Sequence, residues 1–429
     1  MDIPPERLPA RDPNAIAVDG WLLYPTLRLY SLYSDNLFFS SVNPFLSVGG
    51  IGITPSMVAE WTNGIHTTTF YGNIDRQDYP SANEVNTLDG RAGFTQRYEA
   101  MRDLIFTVNG NYTHQTWSTG LQNSIQTAAA APATTILSNG NTVLPNGTIL
   151  SPSGQAIGQV GAPTGSNLSL SVNPYDQYTS TFTVDKIFNR GEVSLAGSLN
   201  RTNYETDNFL STRSRTFTEN AGFWLGPLLY AYSNGLIGTV VFDATSVATT
   251  SYRVVGGLGT RQIGLFRGSI YFGHQASEGG TEAGGDVYGG SISYYPSRKW
   301  TIAGSVDETV NIAAANIASA TTNLALTLPG LVGVQVPLGA STRTTSTSLQ
   351  SSYEITSRWS TIWQLGYTSI EYVDSTRRDQ NWVGDAQLRY DMWRDMSITW
   401  EYRYRNVQSN VPFMSAVSNT AIVGATYRF

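Results

Sequence analysis

The chain has 429 residues, no cysteine, a net charge of −6 and only 14% charged side chains, against about 25% in ordinary soluble domains. The lack of cysteine excludes a disulfide framework and thiolate metal sites. A balance this close to neutral offers nucleic acid no basic surface, and without a run of 18 apolar residues transmembrane helices are excluded.

The chain opens with "MDIPPERLPARDP", which has neither the basic nor the apolar segment of a signal peptide. Either the protein is not exported or its signal peptide has been removed. The second is expected, with residues 1–19 as a periplasmic leader. From Gly20 onward, short turn signals recur: Asn63-Gly64, Arg102-Asp103, Asn189-Arg190-Gly191, Gly226-Pro227, Arg261-Gln262, Ser297-Arg298, Ser357-Arg358 and Trp393-Arg394-Asp395. From 189 to 226, 262 and 298 the steps are 37, 36 and 36; from 357 to 393 and on to 429 they are 36 and 36. That is the period of one β-hairpin with a tight turn at one end and a looser loop at the other.

Between the turns, side chains alternate with period two, as a strand requires. Leu104, Phe106, Val108 and Tyr112 oppose Thr107, Asn109, Asn111 and Thr113; Val193, Leu195 and Leu199 oppose Glu192, Ser194 and Ser198. In "SITWEYRYR", Ile398, Trp400, Tyr402 and Tyr404 oppose Glu401, Arg403 and Arg405. The segments add up to about 18 strands, a count of about 16 also being acceptable. A propeller needs four strands per repeat and finds two. A soluble sandwich has no use for aromatics gathered beside the turns. A membrane barrel does, because apolar residues face lipid, polar ones face the lumen, and an indole favours the headgroup boundary. Trp61, Trp224, Trp300, Trp359 and Trp393 each lie within three residues of a turn signal and are expected to form an interface girdle. In the terminal "AIVGATYRF", Tyr427 and Phe429 share the apolar face and resemble the recognition signal of outer-membrane barrel assembly. An open sheet edge in lipid costs several kcal/mol per unpaired group, so the sheet must close. The expected fold is all-β, a closed antiparallel transmembrane barrel of up-and-down topology spanning 20–429.

The segment "GWLLYPTLRLYSLYSDNLFFS" (Gly20 to Ser40), with Tyr24-Pro25 and Asp35-Asn36, resembles the opening of the proteobacterial outer-membrane porin family of β-barrel porin 2 type. "PPERLPARDP" echoes its leader, and "GGSISYYPSRKWTIAGSV" and "LRYDMWRDMSITWEYRYR" share its rhythm. The resemblance implies an outer-membrane location. Family members often sit beside exopolysaccharide-export genes. The stretches 118–172 and 311–342 are longer than the family's rhythm.

Parity assigns Arg91, Arg97, Glu99, Glu192, Arg253, Arg267, Asp307, Asp385, Arg389, Asp391, Glu401, Arg403 and Arg405 to the inward, pore-lining face. Mixed signs suit ladders that either brace a wet wall or select ions. Arg389, Arg403 and Arg405 together are the candidate anion-attracting strip. The uncharged stretch 118–172 carries Asn139-Gly140, Asn146-Gly147 and Ser153-Gly154, turn pairs that suggest a small hairpin or arch in an outer loop. The stretch 311–342 is likewise uncharged and rather apolar, and one or both of these loops are expected to fold into the pore mouth or against a neighbouring copy.

His66, His114 and His274 are the only histidines. Nothing places them beside a nucleophile, and no G-x-S-x-G, G-x-G-x-x-G or Walker-type loop occurs. Neither catalysis, a cofactor nor a metal centre is expected, beyond weak Ca²⁺ contacts at Glu278, Glu282 and Asp286. The expected function is a porin-like channel for passive diffusion of small hydrophilic solutes or ions. The alternatives are a polysaccharide-export barrel, which should show inward-facing aromatic rings, and a non-conducting structural barrel. Expected partners are outer-membrane lipid, the barrel-assembly machinery acting on the C-terminal strand and, as for many porins of this size, further copies of the chain.

Overall fold

The computed structural model describes residues 15–37, 47–117, 172–205, 211–243, 248–261, 263–278, 283–312, 341–372, 376–410 and 415–429, with four short strands between 135 and 159. The first strands are β1 (Ile16–Val18), β2 (Trp21–Ser34), β3 (Val48–Thr62), β4 (His66–Asp78), β5 (Thr87–Met101) and β6 (Leu104–Trp117). Four short ones follow: β7 (Thr135–Ile136), β8 (Thr142–Val143), β9 (Thr148–Leu150) and β10 (Ala156–Gln159). The wall resumes with β11 (Val172–Phe188), β12 (Gly191–Tyr204), β13 (Thr212–Trp224), β14 (Leu229–Phe242), β15 (Ala248–Thr260) and β16 (Phe266–Glu278). It continues through β17 (Ala283–Ser297), β18 (Trp300–Ile312), β19 (Ser341–Glu354), β20 (Trp359–Tyr372), β21 (Arg378–Asp391), β22 (Met396–Ser409) and β23 (Ala416–Arg428).

Each long strand pairs antiparallel with its predecessor, and β2 pairs with β23 from Thr26↔Arg428 to Ser34↔Thr420. The sheet therefore closes into an 18-strand barrel. Its backbone groups are satisfied strand to strand, the condition that lipid imposes, except along the first residues of β17, where pairing with β18 stops at Gly289↔Asp307. Where β23 ends, β1 covers the remaining edge of β2, with Ile16↔Leu23 and Val18↔Trp21. The hairpin joining them turns at Asp19 and Gly20, both at positive φ. Every predicted tight turn falls between consecutive strands at one end of the barrel. At the Arg102-Asp103 turn, the hydrogen bond from the Lys186 ammonium holds the Asp103 carboxyl below its ordinary pKa. Strands β7 to β10 form their own small antiparallel sheet, and the predicted turn pairs 139–140, 146–147 and 153–154 lie outside the described residues. So does most of 311–342.

Two observations separate the faces of the wall. Ile270, Phe272, Trp363 and Leu365 are among many large apolar side chains left exposed on one face. On the other face, side chains reach over an intervening strand: Tyr30 to Asp75 at 2.9 Å, Tyr71 to Asn111 at 3.0 Å and Arg28 to Glu401 at 2.8 Å. Only the concave side of a curved sheet brings next-but-one strands together in this way. Rings on that side also lie flat against glycines. A Cβ at Gly52 would overlap Tyr30, and one at Gly289 would overlap Tyr271, so close approach requires glycine at both positions.

Candidate functional site: a lumen narrowed from opposite sides

All thirteen residues assigned inward by parity lie on the concave face. Glu401 accepts from Arg28 and from Arg403, each at 2.8 Å, and Arg403 also approaches Asp385 at 3.7 Å. Arg403 is only 4% exposed and Glu401 7%. Arg389 turns to Asp391 at 2.7 Å, while Arg405 is buried on the same strand as Arg403. The structure does not gather Arg389, Arg403 and Arg405 into one strip, because each of the first two is drawn to its own carboxylate. Elsewhere Arg91 donates to Asn111 at 3.0 Å and lies over the Tyr71 ring, Arg97 pairs with Glu99, and Arg253 reaches Asp307 at 3.4 Å. Glu192 and Arg267 flank buried Tyr230, and one guanidinium nitrogen of Arg267 has no partner among the described residues.

The girdle needs one correction. Trp61 packs beside Trp21, Trp300 against Tyr353, and Trp359 against Tyr390 and Trp400, all on the convex face, and Trp393 is exposed in its turn. Trp224 is on the concave face. Phe223 points outward from β13 and is exposed, so its neighbour must point inward. There Trp224 meets Tyr230 edge-on, and Arg261 lies 4.0 Å above its ring. Proximity to a turn selected it, where parity would have excluded it. Tyr427 and Phe429 both remain exposed, in edge-to-face contact.

The described residues narrow the lumen in two places: the first was not anticipated, and the second lies at the base of the stretch 311–342 expected to enter the pore mouth, most of which is outside the described residues. The first is the β4–β5 connection. A 3₁₀ turn at Asn83–Val85 lets Tyr79, Ala82 and Val85 pack against Tyr30, Leu32, Val48 and Ile422 on the concave side of β2, β3 and β23. Below it, Asp75 accepts from Tyr30, Thr54 and Gln77. The only sequence signal was apolar side chains, Tyr79 and Val85, in a stretch of turn-forming residues.

The second narrowing lies about halfway round the ring, where β17 and β18 pair only from Ser297↔Trp300 to Gly289↔Asp307. Beyond that point β18 stays paired with β19 as far as Ile312↔Ser341 but leaves β17. The Gln275 side chain on β16 holds the Val310 backbone at both its N–H and its carbonyl. Val310 packs with Val287 and Val255, and Tyr271 joins them. A Cβ at Gly285 would overlap Arg343, which pairs with Glu308 at 2.9 Å. The convex face of the upper β18–β19 hairpin thus lies on the concave face of β15–β17: the hairpin is tucked inside the barrel. Gly285 on β17 leaves room for it.

The histidines are dispersed. His66 stacks on Tyr98, His114 meets Asp176 at 2.9 Å, and His274 meets Asp286 at 3.3 Å. Glu278 accepts from Tyr252, Asp286 is turned to His274, and Glu282, the third of the suggested Ca²⁺ acids, lies outside the described residues.

A closed antiparallel barrel with an apolar exterior and a charged interior is an outer-membrane channel scaffold. The family model described as "Putative beta-barrel porin 2" matches residues 154–429, more than half of the chain, and the protein belongs to that family, which places it in the bacterial outer membrane. No curated protein matches the chain. Among solved structures, Pseudomonas aeruginosa OpdO is similar at 12% identity and TM-score 0.48, over 95% of this chain and 97% of that one. Acinetobacter baumannii OccAB3 is similar at 10% identity and TM-score 0.49, over 96% and 100%.

Proposed function

We propose that the protein is a passive channel for small hydrophilic solutes or ions, selecting by size at the two narrowings and by field at the inward Arg, Asp and Glu. The observation that carries this reading is the concave face itself, which gathers the charged side chains of the wall, several of them in compensating pairs such as Glu401 with Arg28 and Arg403, Arg389 with Asp391, and Arg253 with Asp307. Such a wall keeps a water column stable without attracting one sign strongly enough to trap it. No catalytic constellation is read in it. Inward rings were the mark of the polysaccharide alternative, and Tyr30, Tyr79, Tyr204, Tyr230 and Tyr372 do face inward. They are buried, however, and Tyr30 and Tyr230 are set against glycines of neighbouring strands. That is the geometry of wall braces, and the inward rings of Trp224, Tyr71 and Tyr271 are each covered by an arginine, Arg261, Arg91 and Arg253 respectively.

The test is single-channel recording of the refolded full chain in planar bilayers. Discrete conductance steps are expected. Folded, inserted protein that passes no current would leave the structural reading in its place.

A further inference from the structure

On the convex face, at the end of the barrel opposite the tight turns, three strands bring together side chains far apart in sequence. His114 on β6 stands directly opposite Asp176 on β11, with Nδ1 and Oδ1 2.9 Å apart. Glu205 follows the last residue of β12 and is fixed there by its backbone N–H, which donates to the Pro174 carbonyl at 2.9 Å. One donor atom from each of the three lies within 4.8 Å of the other two. We propose that His114, Asp176 and Glu205 bind one divalent cation of the zinc class.

The donor set suits such an ion: one imidazole nitrogen and two carboxylate oxygens leave a fourth position for water. Ligands at about 2.0–2.2 Å from zinc stand about 3.3–3.6 Å from one another in a tetrahedral site. The His114–Asp176 pair is already near that separation. Glu205, exposed and beyond the strand end, has the freedom to close the remainder. Asp176 is oriented by the Tyr112 hydroxyl, which donates at 2.8 Å to the same Oδ1 that meets His114, as outer partners orient ligands in metal sites. His274 and Asp286 supply an internal comparison. They make the same cross-strand pair, yet among the described residues no third ligand joins them. A bound ion would stitch β6, β11 and β12 together at the base of the long connection that runs from β6 to β11.

Isothermal titration of the folded, detergent-solubilised full chain with zinc chloride tests the site, folding of each variant being checked by heat-modifiable gel mobility. One zinc per chain is expected. Glu205→Gln, beyond the strand, should weaken binding by about tenfold or more; His114→Ala should abolish it; His274→Ala should leave it unchanged. If His114→Ala does not fold, Glu205→Gln carries the decision alone. Wild-type protein without saturable binding, wild-type affinity in Glu205→Gln, or an equal loss in His274→Ala would each overturn the site.

Discussion

Across the lumen from each other, the β2–β3–β23 wall and the β15–β18 wall narrow the end opposite the tight turns by different physical means. The first keeps its strand pairing intact and covers it with an extra segment, residues 79–85, over a buried network of charges and hydroxyls. The second gives up pairing between β17 and β18 above Gly289 and turns the freed hairpin inward onto two valines and a tyrosine. A covered wall can loosen only by breaking buried ion pairs. A tucked hairpin can move by exchanging one apolar contact and one glutamine clasp for water. The first wall is therefore read as scaffold and the second as the adjustable side of the pore.

The largest expected effect breaks the scaffold. Glu401→Ala leaves buried Arg403 and half-buried Arg28 without their shared carboxylate, which costs about 3–5 kcal/mol. Urea unfolding in lipid vesicles should show this as a lower midpoint, and an unchanged midpoint would mean that the network is solvated. On the opposite wall, Gln275→Ala removes both contacts to the Val310 backbone and should cost about 1–3 kcal/mol. Its diagnostic is the current: the hairpin loses its clasp, so single-channel conductance should rise. A Gln275→Ala channel with wild-type conductance would show that the hairpin does not set the opening.

The contrast also explains what could be read from the sequence. Period-two alternation and the 36-residue ruler carry strand number, turn positions and the inward set, because each depends only on local spacing. The network at Glu401 joins residues 28 and 401, the clasp joins 275 and 310, and the cluster at His114 joins 114, 176 and 205. Those contacts depend on register and on barrel closure, which no local pattern records. Trp224 failed for a smaller reason, its distance from a turn having been counted without its parity. The clustering of Arg389, Arg403 and Arg405 failed because parity gives a face but no partner, and nearby carboxylates claimed two of the three.

On the β15–β18 wall itself, Arg267 of β16 tests whether field acts alongside size. It faces inward with one nitrogen free of any described partner, so Arg267→Glu changes the local field without dismantling a pair. Reversal potentials in a salt gradient should move toward cation preference. An unmoved potential would confine selection to the narrowings.

The smallest expected effect checks the assumption under the whole comparison, that the two faces of the wall have been told apart. Glu219 on β13 is exposed on the face that carries Phe217 and Phe223, and it stands level with Leu195 on β12 and Gly235 on β14. A carboxylate there faces hydrocarbon, so Glu219→Leu should stabilise the folded barrel by about 1 kcal/mol, a modest gain because acidic groups on the lipid face cost less than basic ones. Glu192 on neighbouring β12 faces the lumen, and Glu192→Leu should bring no such gain, since its carboxylate is already in contact with water. Unfolding the two variants side by side in vesicles reads the difference directly. Equal effects would mean that the faces are not distinguished at β12 and β13, and the inside of each narrowing would lose its meaning.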